Sequence, residues 1–224
     1  MRSYVCVLCF AVLLTGVTSG DDKPKADKKS DAIWKLERLK DGRTVLSDGK
    51  LAVTFPADAK AEVEGAYASV SIKQETGAKL QGYLSIQRKD APADAKKATD
   101  TRKWLKKYVD DDVEKDRKAV DKSEKGETKE YNDVKLVKTD EIRLGEFKGL
   151  KSITDHDRAL SSIRIEGGLH SVLETDHYII GDHLYFLRAG GSGAPKVPQL
   201  FGDHTGFHRS GMAQDYFKSV KMVK

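Results

Sequence analysis

Cysteine, proline and long apolar runs are all scarce in this chain of 224 residues, which carries two cysteines and five prolines. Both cysteines, Cys6 and Cys9, fall inside Val5–Leu14, "VCVLCFAVLL", an unbroken run of ten apolar residues. Arg2 precedes that run, and "TGVTSG" and the acidic pair Asp21-Asp22 follow it. This is the layout of a secretory signal peptide, and ten apolar residues fall short of the roughly twenty that span a bilayer. Thr18 and Gly20 suit the two small-residue positions before a cut, so cleavage is expected after Gly20. The C-x-x-C spacing of a redox or zinc site therefore leaves with the signal, where Cys6 and Cys9 act as small hydrophobes. Neither cysteine follows the Leu-Ala-Gly-like triplet of a lipoprotein, so no lipid anchor is expected. The mature chain has no cysteine and hence no disulfide or thiolate chemistry.

Catalytic signatures are missing as well. There is no H-E-x-x-H, no G-x-S-x-G elbow and no phosphate-cradling G-x-x-x-x-G-K-[ST]. "GGSGAP" is not followed by Lys-Ser/Thr and reads as a flexible connector. Carboxylates abound, but none can be placed opposite another, so a glycosidase reading has no support. Asn132 precedes Asp-Val, which excludes an N-glycosylation sequon there. Charge is plentiful: 40 Lys and Arg against 35 Asp and Glu give a net +5, or +4 without Arg2. The two signs are interleaved, as on a solvated surface, whereas nucleic-acid binders gather cations on one stripe. Nucleic acid is accordingly excluded as a partner.

After the signal, "DDKPKADKKSD" has no apolar side chain larger than alanine and can bury nothing. It reads as a tether over 21–41, with Ser30 capping a short helix through "DAIWKLERL" that Asp41-Gly42 ends. The 204 residues left by cleavage suffice for a single domain of ordinary size, placed at 42–224. Asp48-Gly49 predicts a two-residue type I′ hairpin turn, with Leu51, Val53 and Phe55 alternating onto one face and Pro56 ending the strand. A second hairpin runs from Ala66 through a turn at Gly77 to "YLSIQRK". Trp104, Leu105, Tyr108, Val109 and Val113 recur at spacings of three and four, the stripe of an amphipathic helix. Asp110, Asp111 and Asp112 fall on its wet side, since consecutive helical residues point 100° apart and cannot jointly grip an ion. Further strands are expected over 131–154 about a turn at Gly145-Glu146, then irregular "DHDRALSSIRIEGG", then a hairpin about Gly181-Asp182. A long loop leads to a terminal helix, "AQDYFKSVKMV". Hairpins alternating with isolated helices predict an α+β fold, with a central antiparallel sheet flanked by helices on both faces in an α/β/α sandwich.

The motifs "SDGKLAVTFPADAK", "HYIIGDHLYFLRAG" and "AQDYFKSVKM", in that order, resemble the PsbP-like fold group over about Thr44–Val223. That group includes the extrinsic PsbP subunit of photosystem II, a eukaryotic Ran release factor and exported bacterial proteins. The resemblance implies the same layered architecture and a partner that is a protein or a membrane-bound complex. It implies no activity, because members share a scaffold and not a site.

All six histidines lie between His156 and His208. Counting outward from Gly181-Asp182 pairs Ile180 with His183 and His177 with Phe186. His177 then shares a face with Ile179, Leu184 and Phe186, and His183 lies on the other, so the two cannot meet at one ion. Asp203, His204 and His208, one carboxylate and two imidazoles within six loop residues, are the candidate metal ligands. Asp155 or His156 could supply a further ligand. The leading expectation is an exported, non-enzymatic binding module with no resident cofactor, docking on a protein or envelope complex through its sheet edge or loops. The alternative is a small metal-binding protein, or metal-dependent enzyme, built on the histidine-rich C-terminal loops. N-terminal sequencing of the exported product should begin at Asp21 or within a few residues of it; an intact Met1 on exported material would refute the signal reading.

Overall fold

In the computed structural model, alternating apolar and polar residues run more than half of the described residues into antiparallel strands. The structure describes residues 33–57, 59–73, 80–119, 131–159, 169–193 and 204–223. The signal segment, most of the tether, the turn expected at Gly77 and Asp203 lie outside these residues.

Two sheets form. The smaller has the order β1-β2-β3-β11, from β1 (Lys35–Arg38), β2 (Thr44–Ser47), β3 (Leu51–Phe55) and β11 (Lys221–Met222). The larger has the order β4-β5-β6-β10-β9-β8-β7. Its strands are β4 (Glu62–Glu64), β5 (Tyr67–Lys73), β6 (Leu80–Asp90), β7 (Tyr131–Leu144), β8 (Phe147–Ala159), β9 (Leu169–Ile180) and β10 (His183–Gly193). Every pairing in both sheets is antiparallel. Helices are few among the described residues: α1 (Ala93–Lys96), α2 (Thr101–Ala119), α3 (Gly211–Lys218) and a 3-10 turn at Phe207–Arg209. The fold is α+β and antiparallel as expected, but it is built on two sheets where one central sheet was anticipated.

The amphipathic helix forms as the sequence indicates. Asp100 caps it, its Oδ1 accepting from the amides of Arg102 (3.0 Å) and Lys103 (3.2 Å), which satisfies donors that the first turn leaves free. Leu105, Val109 and Val113 are buried, whereas Asp110, Asp111 and Asp112 are exposed. With Ala91, Ala95, Leu150, Leu184 and Phe186, the stripe closes one face of the large sheet. The opposite face packs Leu84, Ile86, Tyr178, Tyr185 and Leu187 against Trp34, Leu46, Val53 and Phe55 from around the small sheet and Tyr216 from α3.

Several local expectations change. The segment expected as a short helix is strand β1, paired with β2 in the register Lys35↔Ser47 to Arg38↔Thr44. Its Leu, Glu and Lys favour a helix, but the free edge of β2 and the burial of Trp34 to 2% exposure override that preference. The turn lies one residue later than Asp48-Gly49, at Gly49-Lys50, since Ser47 faces Ala52 and the Asp48 amide donates to the Leu51 carbonyl at 3.2 Å. Asp48 points inward, its Oδ1 accepting from the amides of Lys50 (3.0 Å) and Leu51 (2.9 Å). "DHDRA" is not irregular but the end of β8, paired with β7 from Asp155↔Lys135 to Ala159↔Tyr131. The terminal helix stops at Lys218, capped by Ser219, so that Lys221 and Met222 pair with β3. The turns at Gly145-Glu146 and Gly181-Asp182 are two-residue turns as counted, each glycine at positive φ.

The two sheets are tied through Asp48. Its side chain has no solvent exposure, and Oδ2 accepts from the Tyr185 hydroxyl at 2.6 Å and from Arg88 Nη1 at 2.9 Å. Burial alone would raise its pKa, but the hydrogen bonds from Tyr185, Leu51, Lys50 and Arg88 outweigh this and hold it below the ordinary carboxylate value. A depressed folded pKa gives stability that is present above the unfolded value of about 3.9 and is lost as pH falls through the folded one. Asp48→Ala should cost about 3 kcal/mol in urea unfolding at pH 7, leaving the half-buried Arg88 and the buried Tyr185 without their partner. Asp48→Asn should flatten the acid limb of stability against pH; an unchanged acid limb would contradict the role assigned to Asp48.

Candidate functional site

The six histidines and a row of charge on the large sheet are the places where chemistry could reside. Across the β9–β10 turn the observed register matches the count: Ile180↔His183, Tyr178↔Tyr185 and His177↔Phe186. His177 and His183 accordingly lie on opposite faces. His177 is buried under α2, its Nε2 3.0 Å from Ser152 Oγ and its ring edge-on to Phe186. Desolvation, with Arg188 adding, pushes its pKa down to about 3, so the ring is neutral at physiological pH. This is not a catalytic Ser–His pair: Ser152 and His177 are 3% and 6% exposed, and Nδ1 has no hydrogen-bond partner to orient it. His183 lies 3.4 Å from Asp90 at the strand end.

Of the expected ligands, Asp203 falls outside the described residues. His208 is buried in the 3-10 turn, where its Nδ1 donates to the Thr205 carbonyl at 3.0 Å. His204 has a buried Nε2 without a hydrogen-bond partner, and its backbone lies directly over Gly191, where a Cβ would come within 2.0 Å of its carbonyl. Among the described residues, neither histidine belongs to a set of three side chains able to share an ion.

A different set does. Asp155, Asp157 and His170 offer ligand atoms all within 4.8 Å of one another. Asp157 faces His170 across the β8–β9 pairing, and Asp155, two residues back on β8, points to the same side. His170 Nδ1 is 2.8 Å from Asp157 Oδ1, and Nε2 is 3.2 Å from Asp155 Oδ1. His156, between the two aspartates, faces the other way and lies 3.0 Å from Thr154 Oγ1. Asp155, named only as a possible further ligand for the C-terminal loop, is joined instead to a strand histidine. The signal was present: Asp-x-Asp alternation presents both carboxylates on one face once the segment is seen as a strand.

These residues belong to a longer row of charge. Along β8 and β9 the same face runs Asp157↔His170, Asp155↔Val172, Ile153↔Glu174 and Lys151↔Asp176, with rungs about 7 Å apart. Strand β7 extends it with Asp133, Lys135, Lys138 and Asp140 opposite Asp157, Asp155, Ile153 and Lys151. At the inner end the row is buried. Glu174 and Asp176 are 3% and 5% exposed, Lys151 is ion-paired to Glu174, and its Nζ sits 5.1 Å from the centre of the Phe217 ring. Burial would lower the Lys151 pKa, but Glu174, Asp176 and Asp140 together hold it raised and the amine charged. Desolvation raises Asp176 to about 7; Glu174 adds to the rise and Lys151, 3.8 Å away, opposes it.

Comparison with known proteins yields fold alone. No protein-family model and no curated protein matches the sequence. Among solved structures the chain is similar to the Ran-binding protein Mog1p of Saccharomyces cerevisiae, with 8% identity and a TM-score of 0.49 over 87% of this chain and 97% of that one. It is also similar to cyanobacterial PsbP from Synechocystis, with 10% identity and a TM-score of 0.38 over 89% and 98%. The likeness is to a PsbP/Mog1-like fold and transfers neither a site nor a partner.

A folded pKa near 7 against about 3.9 unfolded means that the native state holds a proton on Asp176 that the unfolded chain releases. Its stabilising share is complete below the unfolded value and is lost as pH rises toward 7. Asp176→Asn should match wild type near pH 4 and be the more stable by up to about 4 kcal/mol at pH 8. Thermal unfolding at the two pH values measures this, and a variant less stable at pH 8 would overturn the assignment.

Proposed function

We propose that this chain is an exported, non-enzymatic binding module that docks on a protein or envelope-complex partner through the outer face and free edge of β7–β9. The observation that carries the reading is the change in character of the large sheet toward that edge. Inner rungs are apolar and covered, whereas Asp133, Lys135, Lys138 and Asp157 are exposed charges around half-exposed Ile153 and Val172. Apolar residues ringed by mixed charge are the pattern of a non-obligate interface. β7 is the outermost strand, and the register shift between Leu136 and Lys138 leaves Val137 60% exposed. That bulge and the flanking lysines oppose indiscriminate edge pairing, so recognition would come from side chains. Export rests on the N-terminal twenty residues. The fold likeness to a Ran-binding protein agrees with a protein partner, but the proposal does not rest on it.

A photo-crosslinking residue at position 137 should capture a discrete partner from the native envelope or culture medium, whereas one at Lys106, on the outer side of α2, should not. Lys138→Glu combined with Asp133→Lys should abolish the adduct while leaving thermal stability within about 1 kcal/mol. Equal capture at 137 and 106, or an adduct indifferent to charge reversal, would sink the docking face.

A further inference from the structure

We propose that Asp155, Asp157 and His170 form a binding site for a divalent transition-metal ion, zinc being the best match to the donors. Three ligand-bearing residues come from the paired ends of two hydrogen-bonded strands, the end of β8 and the start of β9, and the strand pairing sets their spacing, as a metal site requires.

The hydrogen-bonding pattern points to a cation. Asp157 can only accept when ionised, so the 2.8 Å contact places the imidazole proton of His170 on Nδ1. In the neutral ring Nε2 then presents a lone pair, and 3.2 Å away lies Asp155 Oδ1. That oxygen is sealed from solvent and, despite its proximity, makes no aligned hydrogen bond. Two electron-pair donors facing one another call for a positive centre between them, supplied by a second imidazole proton or by a metal. With Asp157 fixing Nδ1, the ring is held by its far nitrogen as metal-bound histidines usually are.

Charge favours the metal. Among the described residues the neighbours are Lys135 on β7, ion-paired to Asp133 at 2.9 Å, and the two site aspartates. Three carboxylates against one ammonium leave two negative charges, the complement of a divalent ion. An imidazole with carboxylate oxygens suits zinc, and manganese or cobalt after it, whereas calcium and magnesium prefer oxygen alone. Three protein ligands leave a coordination position open, and Asp157, with 60% side-chain exposure, puts it on the solvent side.

The site lies on the proposed docking face and shares Asp157 with it, but it is tested without any partner. The full-length mature chain, stripped with chelator, is titrated calorimetrically with zinc, manganese and calcium. One equivalent of zinc should bind at micromolar affinity or better, with calcium at least tenfold weaker. Asp155→Asn and His170→Ala should each weaken zinc at least tenfold, and the visible spectrum of the cobalt-loaded chain should lose its bands in His170→Ala. Zinc should raise the melting temperature of wild type and of His204→Ala and His208→Ala, but not of Asp155→Asn, which separates lost binding from lost folding. Zinc no tighter than millimolar, retention of affinity in the triple variant at 155, 157 and 170, or loss only on changing His204 or His208 would overturn the site. Crosslinking at position 137 does not require the metal, so failure here leaves the docking face standing.

Discussion

The buried carboxylate of Asp48 is the constraint from which the arrangement of the two sheets follows. It sits in a surface turn yet reaches inward, gathering the amides of Lys50 and Leu51, the Tyr185 hydroxyl and the Arg88 guanidinium. A buried charge is tolerable only when it is hydrogen-bonded on all sides, so this turn cannot leave the paired Arg88 and Tyr185, near the end of β6 and the start of β10, without stranding Asp48. Fixing the turn fixes β3, and β3 in turn positions β11 through Leu51↔Met222 and α3 through the stacked pair Phe55–Tyr216. Tyr216 closes the circuit by donating to the Ser85 carbonyl on β6 at 2.6 Å. The small sheet and the C-terminal helix therefore cover the inner rungs of the large sheet as a unit.

That cover sets what the outer rungs can be. Rungs built on Leu187, Tyr178 and Tyr185 meet apolar partners and are apolar themselves. Farther along the same face the sequence switches to Lys151, Glu174 and Asp176, and then to Asp155, Asp157 and His170. The transition passes through a zone where ionisable groups are buried but still share charge, which is why Asp176 retains its proton to about pH 7 while Lys151 stays charged. The outermost rungs regain solvent, Asp157 most of all, with 60% side-chain exposure.

Much of this was legible in the alternation of residues. The β9–β10 register followed from the position of Gly181-Asp182 alone, because a two-residue turn leaves no freedom in pairing, and with it came the separation of His177 from His183. The α2 stripe was equally plain, since no competing period exists between Thr101 and Val113. What escaped was long-range. Nothing local in "WKLERL" announces that β2 has an empty edge to offer, and a helix former became strand β1. Asp48 was read for its turn propensity, while its chief partners lie 40 and 137 residues away. The site was missed for the same reason: Asp155 and Asp157 share a face only if β8 extends past Thr154, and His170 joins them only if β9 pairs at that register. Clustering of histidines in the sequence pointed to His204 and His208, but proximity in space is decided by sheet register.

Separating the Asp48 tie from the charged rungs has a consequence for how this protein could change. The tie lies in the β6–β10 half of the large sheet, under the small sheet, whereas the acidic and histidine rungs lie toward β7 on strands whose opposite face is held by Leu105, Val109 and Leu150 beneath α2. Exposed side chains on the outer rungs of β8 and β9, beyond the buried Lys151, Glu174 and Asp176, therefore contribute little to holding their own strands in place. Substitutions there alter charge and ligand preference with small losses in stability, while substitutions at Asp48, Arg88 or Tyr185 unfasten the layers. A scaffold divided in this way keeps its fold constant and leaves one sheet face free to take on different partners or ions, which is what a shared fold without a shared site requires.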